Sequence, residues 1–171
     1  MAAIEEMPYL VGDPAEIVVG VDFSITGAIG GYLLAFFSED DASLLIDALL
    51  GIPGGAITEL DEMALSALGE AGNIIVSSFL SSLEDLCALD VMPSPPAVAV
   101  EMAGAILTSA VLPLVEEGGQ VMLVEAEIVP VGEATRQSAA CRILFLPTTT
   151  SWPILHQAFN TRRPQTGNMS Q

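Results

Sequence analysis

Apolar residues recur along the chain at two different spacings, which divide it into predicted strands and helices. Residues 16–25, EIVVGVDFSI, and 28–37, AIGGYLLAFF, are rich in β-branched, aromatic and aliphatic side chains and flank Thr26-Gly27. Such runs on either side of a turn signal predict a hairpin. Ser38 and the acidic residues after it supply an N-cap and a favourable first turn, so a helix is predicted to follow and to end at Gly51.

The same order of elements recurs later in the chain. A long helix is predicted from about Glu59 to Leu89, and the proline-rich VMPSPPAV after it reads as a connection. The remaining predicted elements are the strand AVAVEM, the helix AGAILTSAVL, the strands QVMLVEAEIV (120–129) and CRILFL (141–146), and the short helix SWPILHQAF. Because a strand–strand–helix unit occurs twice, we expect an α+β fold with two pseudo-symmetric, duplicated halves. Their mostly antiparallel strands would share one sheet with helices packed on it, although two unrelated hairpin–helix units remain an alternative.

Charge and hydropathy narrow the classes of function. The chain has 22 acidic residues against 4 arginines and no lysine, a formal net charge of −18, so we expect neither nucleic-acid binding nor binding to an anionic membrane surface. Acidity of this kind is typical of a salt-rich cytoplasm, which predicts a halophilic source. The most apolar stretch, residues 97–115, is interrupted by Glu101 and Pro113, so we expect no membrane insertion. We expect one domain over residues 1–160 and a disordered polar tail over 161–171.

Few residues outside the long helix offer catalytic chemistry. Cys87 and Cys141 are expected to be small buried apolar side chains, and no metal site is predicted. His156 is the only histidine. We expect it on a helix surface or at an interface, and a Ser/His/Asp triad built on it stays open.

Polar residues recur at helical spacing within the predicted long helix. Glu62, Ser66, Glu70, Asn73 and Ser77 fall on one side, and apolar side chains occupy the opposite side. Gly69 lies beside this stripe and would let another backbone approach closely. The stripe is either a solvated face or a site; a rigidly held Asn can orient a water molecule, and a Glu can pair with a cation. An oriented water of this kind is useful where a phosphoryl group must meet an in-line nucleophile. If the stripe is such a catalytic site, a partner must supply the phosphate, the metal and the neutralising cation.

The spacing in this helix resembles the CheC/CheX/FliY phosphatase family. That family carries Asp or Ser, three residues, Glu, two residues, Asn, then twenty-two residues and Pro. Here Ser66-Ala-Leu-Gly-Glu70-Ala-Gly-Asn73 fits, and the count from Asn73 ends on Pro96. Flanking segments such as EIVVGVDFSITGAIGG are also similar, so the resemblance covers roughly residues 13–160.

The resemblance implies an enzyme that dephosphorylates the aspartyl phosphate of the CheY response regulator. By analogy Asn73 positions the attacking water, Glu70 pairs with the regulator's lysine, and Ser66 and Pro96 support them. Glu62, Gly69 and Ser77 would complete the face that docks the partner. No cofactor of its own is implied, since Mg²⁺ would sit on CheY. CheD is implied as a second partner, the location as cytoplasmic and the source as a halophilic archaeon.

One departure from the family pattern affects the expected assembly. Relatives carry two motif helices, and the first is apparently missing upstream of residue 1, so we expect exposed apolar sheet surface and a homodimer. The alternative function is a non-catalytic adaptor that binds CheD or the motility switch. A membrane-associated protein of unknown role is a third hypothesis.

Overall fold

A computed structural model describes residues 2–3, 12–52, 60–115, 120–128 and 138–161. Over these ranges the chain forms seven strands and four helices. In chain order they are β1 (Ala2–Ala3), β2 (Ile17–Gly27), β3 (Gly31–Ser38), α1 (Glu39–Leu50), α2 (Glu62–Cys87), β4 (Val91–Pro93), β5 (Ala97–Met102), α3 (Ala103–Val115), β6 (Gln120–Ile128), β7 (Ala139–Pro147) and α4 (Ser151–Thr161).

The seven strands form one antiparallel sheet whose order reads similarly from both ends. The order is β1-β6-β7-β3-β2-β4, and β5 follows β4 along the same edge of β2. β7 and β3 therefore lie at the centre, β6 and β2 flank them, and β1 and β5 occupy corresponding outer positions. Each central hairpin leads into a helix, β3 into α1 and β7 into α4. This arrangement confirms the predicted α+β fold with a shared antiparallel sheet.

The two faces of the sheet bury different helices because side chains alternate along each strand. Val19, Val21 and Phe23 of β2 pack in the larger core with residues of α1, α2 and α4. On the opposite face, Leu34 and Phe36 of β3 pack against α3. Helix α2, which carries the polar stripe, and helix α3, which follows β5, thus lie on opposite sides of the sheet.

Most predicted elements are present with small shifts at their ends. Ser38 caps α1, its side chain accepting a hydrogen bond from the Asp41 N–H, and Gly51 ends the helix in the left-handed conformation. Residues 97–115 divide into β5 and α3. The interpretation of VMPSPPAV as a mere connection was wrong, because Val91–Pro93 pairs with β2. Proline is tolerated on an edge strand, where its missing N–H removes no ladder bond, so composition alone did not indicate this strand.

The predicted disordered tail over 161–171 lies outside the described residues except for Thr161, which is the last residue of α4. Both cysteines are buried, as predicted. Among the described residues one helix, Glu62–Asp85, is long and apolar enough to cross a bilayer by length and composition. A helix packed on a sheet inside a folded domain passes the same test.

Candidate functional site

Helix α2 presents the polar stripe outward while its other side packs on the sheet. The helix starts at an N-cap, Asp61, whose Oδ1 accepts a hydrogen bond from the Ala64 N–H over 2.9 Å. Leu68, Ala71 and Val76 are buried in the larger core. The polar residues lie on the outer side, with Glu62, Ser66 and Glu70 exposed and with Asn73 and Ser77 half-buried at the border.

The depth at which α2 lies is set by Gly72. A Cβ atom at this position would come within 2.8 Å of Val21 Cγ1 on the sheet, closer than real Cβ contacts occur. The absent side chain therefore lets the helix backbone rest directly on β2. Asn73 follows this contact in sequence, so its amide is carried on a part of the helix that lies directly on the sheet.

A bulge in the strand that returns beside α2 positions Pro96. Ile25 pairs with Pro93 and Asp22 pairs with Ala97, so three residues of the returning chain, 94–96, face only two residues of β2. Two hydrogen bonds fix the bulge: the Ser94 N–H donates to the Ser24 carbonyl over 2.8 Å, and the Ser24 N–H donates to Ser94 Oγ over 3.0 Å.

The bulge brings Pro96 against Gly69, the residue before Glu70. A Cβ atom at Gly69 would lie 3.6 Å from Pro96 Cγ and 3.3 Å from Val98 Cγ2. Gly69 is buried, and its open side is filled by this chain's own bulge rather than left free for another backbone. The fold thus brings Pro96 beside the helical turn that bears Ser66, Glu70 and Asn73. Val98 was missed by the sequence analysis, and no local pattern indicates it.

The Glu70 carboxylate and the Asn73 amide are available to a partner. Within the described parts of the chain, no hydrogen bond or ion pair engages either side chain. The described residues also contain no group of three or more His, Cys, Asp or Glu arranged to hold a metal ion. The outer surface of the helix therefore offers a partner one negatively charged carboxylate, that of Glu70. Beside it lies the Asn73 amide, which can both donate and accept a hydrogen bond.

The other residues considered from the sequence lie away from this surface. His156 is exposed on α4, and its ring lies within hydrogen-bonding distance of Asn160 Nδ2, at 3.1 Å from Nδ1. This confirms the helix-surface expectation. A salt bridge joins Arg142 to Glu125 over 3.6 Å between β7 and β6.

One half-buried carboxyl, with one of its oxygens fully buried, was not indicated by the sequence. Asp22 of β2 faces α3 and lines a cavity of about 130 Å³ with Gly20, Leu34, Ile106 and others. Its Oδ1 is buried without a hydrogen-bond partner. Burial raises the pKa of Asp22 above its usual 3.8, and the Phe23 backbone hydrogen bond opposes that rise. The alternation of β2 would have put this residue on a covered face had α3 been known to lie there.

Comparison with known proteins identifies relatives that are similar to this chain. A CheC-like family model matches residues 63–100, the segment that runs from α2 through the bulge to β5. The chain is 31% identical over 146 residues to the CheY-P phosphatase CheC of Bacillus subtilis, an alignment covering 84% of this chain and 67% of that protein. It is 42% identical over 62 residues to the CheY-P phosphatase CheX of Thermotoga maritima, covering 36% of this chain and 39% of that protein.

Solved structures show the same fold. The crystal structure of Thermotoga maritima FliY matches with a TM-score of 0.67 at 22% identity, over 87% of this chain and 73% of that one. A chain of the CheX–CheY–BeF3–Mg²⁺ complex from Borrelia burgdorferi matches with a TM-score of 0.53 at 18% identity, over 76% of this chain and 75% of that one. With a 31% identical relative covered over two thirds of its length, the chain belongs to the CheC-like family.

Proposed function

We propose that this chain is a phosphatase that hydrolyses the aspartyl phosphate of a CheY-type response regulator. Two relatives named CheY-P phosphatases support the reaction class. The observation that carries the proposal is the packing of Pro96 against Gly69, because it brings the proline of the family spacing beside the helical segment that carries Ser66, Glu70 and Asn73.

In the proposed reaction, water attacks phosphorus and the regulator's aspartate carboxylate leaves. Asn73 orients the water, its amide oxygen accepting a water hydrogen while the helix holds the amide in line with the scissile bond. Glu70 forms an ion pair with the regulator's lysine and keeps the two proteins in register. The Mg²⁺ that neutralises the phosphoryl oxygens belongs to the regulator. This chain thus supplies orientation and docking, and the regulator supplies the charged centre.

The test is the decay of phosphorylated CheY with and without this protein. Asn73→Ala should slow the accelerated decay by about a hundredfold or more, the usual loss when one oriented polar group is removed from a transition state. Asn160→Ala is the matched control, because it removes an exposed helical Asn from α4. No acceleration by the wild-type chain, or full acceleration by Asn73→Ala, would refute the assignment.

We further propose CheD as a second partner, by resemblance, and a cytoplasmic location shared with the regulator.

A homodimer is also proposed, supported by three large apolar side chains exposed at the β5 edge, Ile17, Val100 and Met102. The net charge of −18 supports a halophilic, archaeal source. Sedimentation across a KCl series tests the homodimer and the halophilic source. A monomer that is fully folded and unaffected by salt would contradict both proposals.

A further inference from the structure

The outer face of α2 carries two different strips on the two sides of Glu70. Residues three, four and seven apart on a helix share a face, so each strip is continuous along the axis. The polar strip lies on the Pro96 side and comprises Ser66, Asn73 and Ser77. The apolar strip lies on the other side and comprises Met63, Ala67 and Ile74. Glu70 therefore stands at the boundary between a polar and an apolar surface.

The apolar strip is unusually exposed for a helix of this core. Met63 is 67% exposed and Ile74 is 56% exposed, whereas the apolar residues on the opposite side of α2 are buried or half-buried. Isolated exposed apolar side chains are common on protein surfaces. Here, however, two large ones follow the helix axis beside an unengaged carboxylate. Apolar side chains surrounding a polar contact are typical of the energetic centre of an interface.

We propose that the apolar strip supplies most of the affinity for the phosphorylated response regulator, while Glu70 fixes register and Asn73 acts in the reaction. This inference rests on the proposed function and deepens it. The regulator would present an apolar surface beside the cation that meets Glu70. An exposed ion pair contributes at most about 1 kcal/mol and weakens in salt. Apolar contact is not weakened by salt, so it suits a docking site on a chain with a net charge of −18.

The experiment compares two substitutions in the strip with two matched controls. Met63→Ser and Ile74→Ser remove the apolar side chains. Met92→Ser and Ile154→Ser are the controls: Met92 is also 67% exposed but follows the buried Val91 on β4, and Ile154 is 40% exposed on α4. Initial rates of phosphorylated-regulator decay are measured over a range of regulator concentrations at high KCl. Thermal melts accompany each variant, and Ile74→Gln replaces Ile74→Ser if that variant is poorly folded.

Each strip substitution should raise KM by about tenfold, with kcat at saturating regulator retained, and each control should change KM less than twofold. A tenfold change corresponds to about 1.4 kcal/mol. Strip variants that match the controls, or that lower kcat without changing KM, would overturn the inference. The proposed function is judged separately by the wild-type chain: if that chain does not accelerate decay, the phosphatase assignment fails before the variants are compared.

Discussion

Substitution of Gly72 by Ala tests whether the contact between α2 and the sheet limits both stability and activity. A Cβ at this position would lie 2.8 Å from Val21 Cγ1 and 3.2 Å from Val21 Cβ. Val21 is fully buried in the middle of β2, so it has little room to move. We therefore expect the helix to shift outward by a few tenths of an ångström and to carry the adjacent Asn73 with it.

The magnitude follows from two opposed effects. Ala is favoured over Gly in a helix interior by about 1 kcal/mol. Overpacking of a filled core costs about 1–3 kcal/mol, so Gly72→Ala should be destabilising by about 1 kcal/mol. Gly69→Ala is the matched control in the same helix. It gains the same helix propensity but meets the half-buried Val98 at 3.3 Å and the exposed Pro96 at 3.6 Å, so we expect it to be neutral or slightly stabilising.

The two variants should differ by about 1–2 kcal/mol in the free energy of unfolding. For a chain of this size, that difference corresponds to a melting temperature roughly 2–8 °C lower for Gly72→Ala. Denaturant titration and thermal melts at fixed KCl measure it, and the same samples report phosphatase activity. Combination with Val21→Ala, which removes the 2.8 Å contact, should make Gly72→Ala no longer destabilising. The reasoning is wrong if Gly72→Ala is as stable as Gly69→Ala, or if the Val21→Ala background leaves its effect unchanged.

Three further predictions concern buried groups and a helix cap. The folded-state pKa of Asp22 is raised because burial disfavours its charged form. The resulting loss of folding stability is absent below pH 3.8, where the carboxyl is protonated in both states, and grows as pH rises through the folded pKa. Asp22→Asn should therefore have a higher free energy of unfolding than wild type at pH 7 but not at pH 3.5, and equal differences at both pH values would contradict this. Burial raises the pKa of Cys141 to about 12. In a Cys87→Ser variant, the remaining thiol should resist a disulfide reagent at pH 8 until denaturant is added; immediate reaction would show that it is accessible. Asp61→Ala removes the N-cap of α2 and should cost about 1 kcal/mol in urea unfolding, whereas an unchanged midpoint would mean that the cap is dispensable.

Features with a local cause were predictable from the sequence. The limits of α1 follow from a serine cap and a glycine stop, which act on backbone groups within a few residues. The outward direction of Glu70 follows from helical periodicity alone. The repeated strand–strand–helix order also indicated one shared sheet. The first two properties depend on neighbours in sequence, and the shared sheet was indicated only because the repeat is visible within one sequence.

Features that depend on pairing between distant residues were not predictable. The strand Val91–Pro93 forms because it can pair with the edge of β2. The prolines in and after it, Pro93, Pro95 and Pro96, suggested only a connection. The contact of Pro96 with Gly69 needs the bulge at 94–96, which arises from a mismatch between two strands far apart in the chain. The orphaned oxygen of Asp22 depends on α3 lying over that face. The half-burial of Asn73 likewise reflects the depth of α2 on the sheet.

The bulge also explains why twenty-two residues separate Asn73 from Pro96. From Asn73 the helix runs to Cys87, about 21 Å at a rise of about 1.5 Å per residue. The return from Val91 to Pro96 covers about 17 Å at about 3.3 Å per residue. The spacing thus combines a helical segment of about 21 Å with an extended segment of about 17 Å that runs back along the helix. An insertion at the turn around Ala88 can loop out without changing either segment, whereas one residue lost from the extended segment would turn Pro96 away from Gly69.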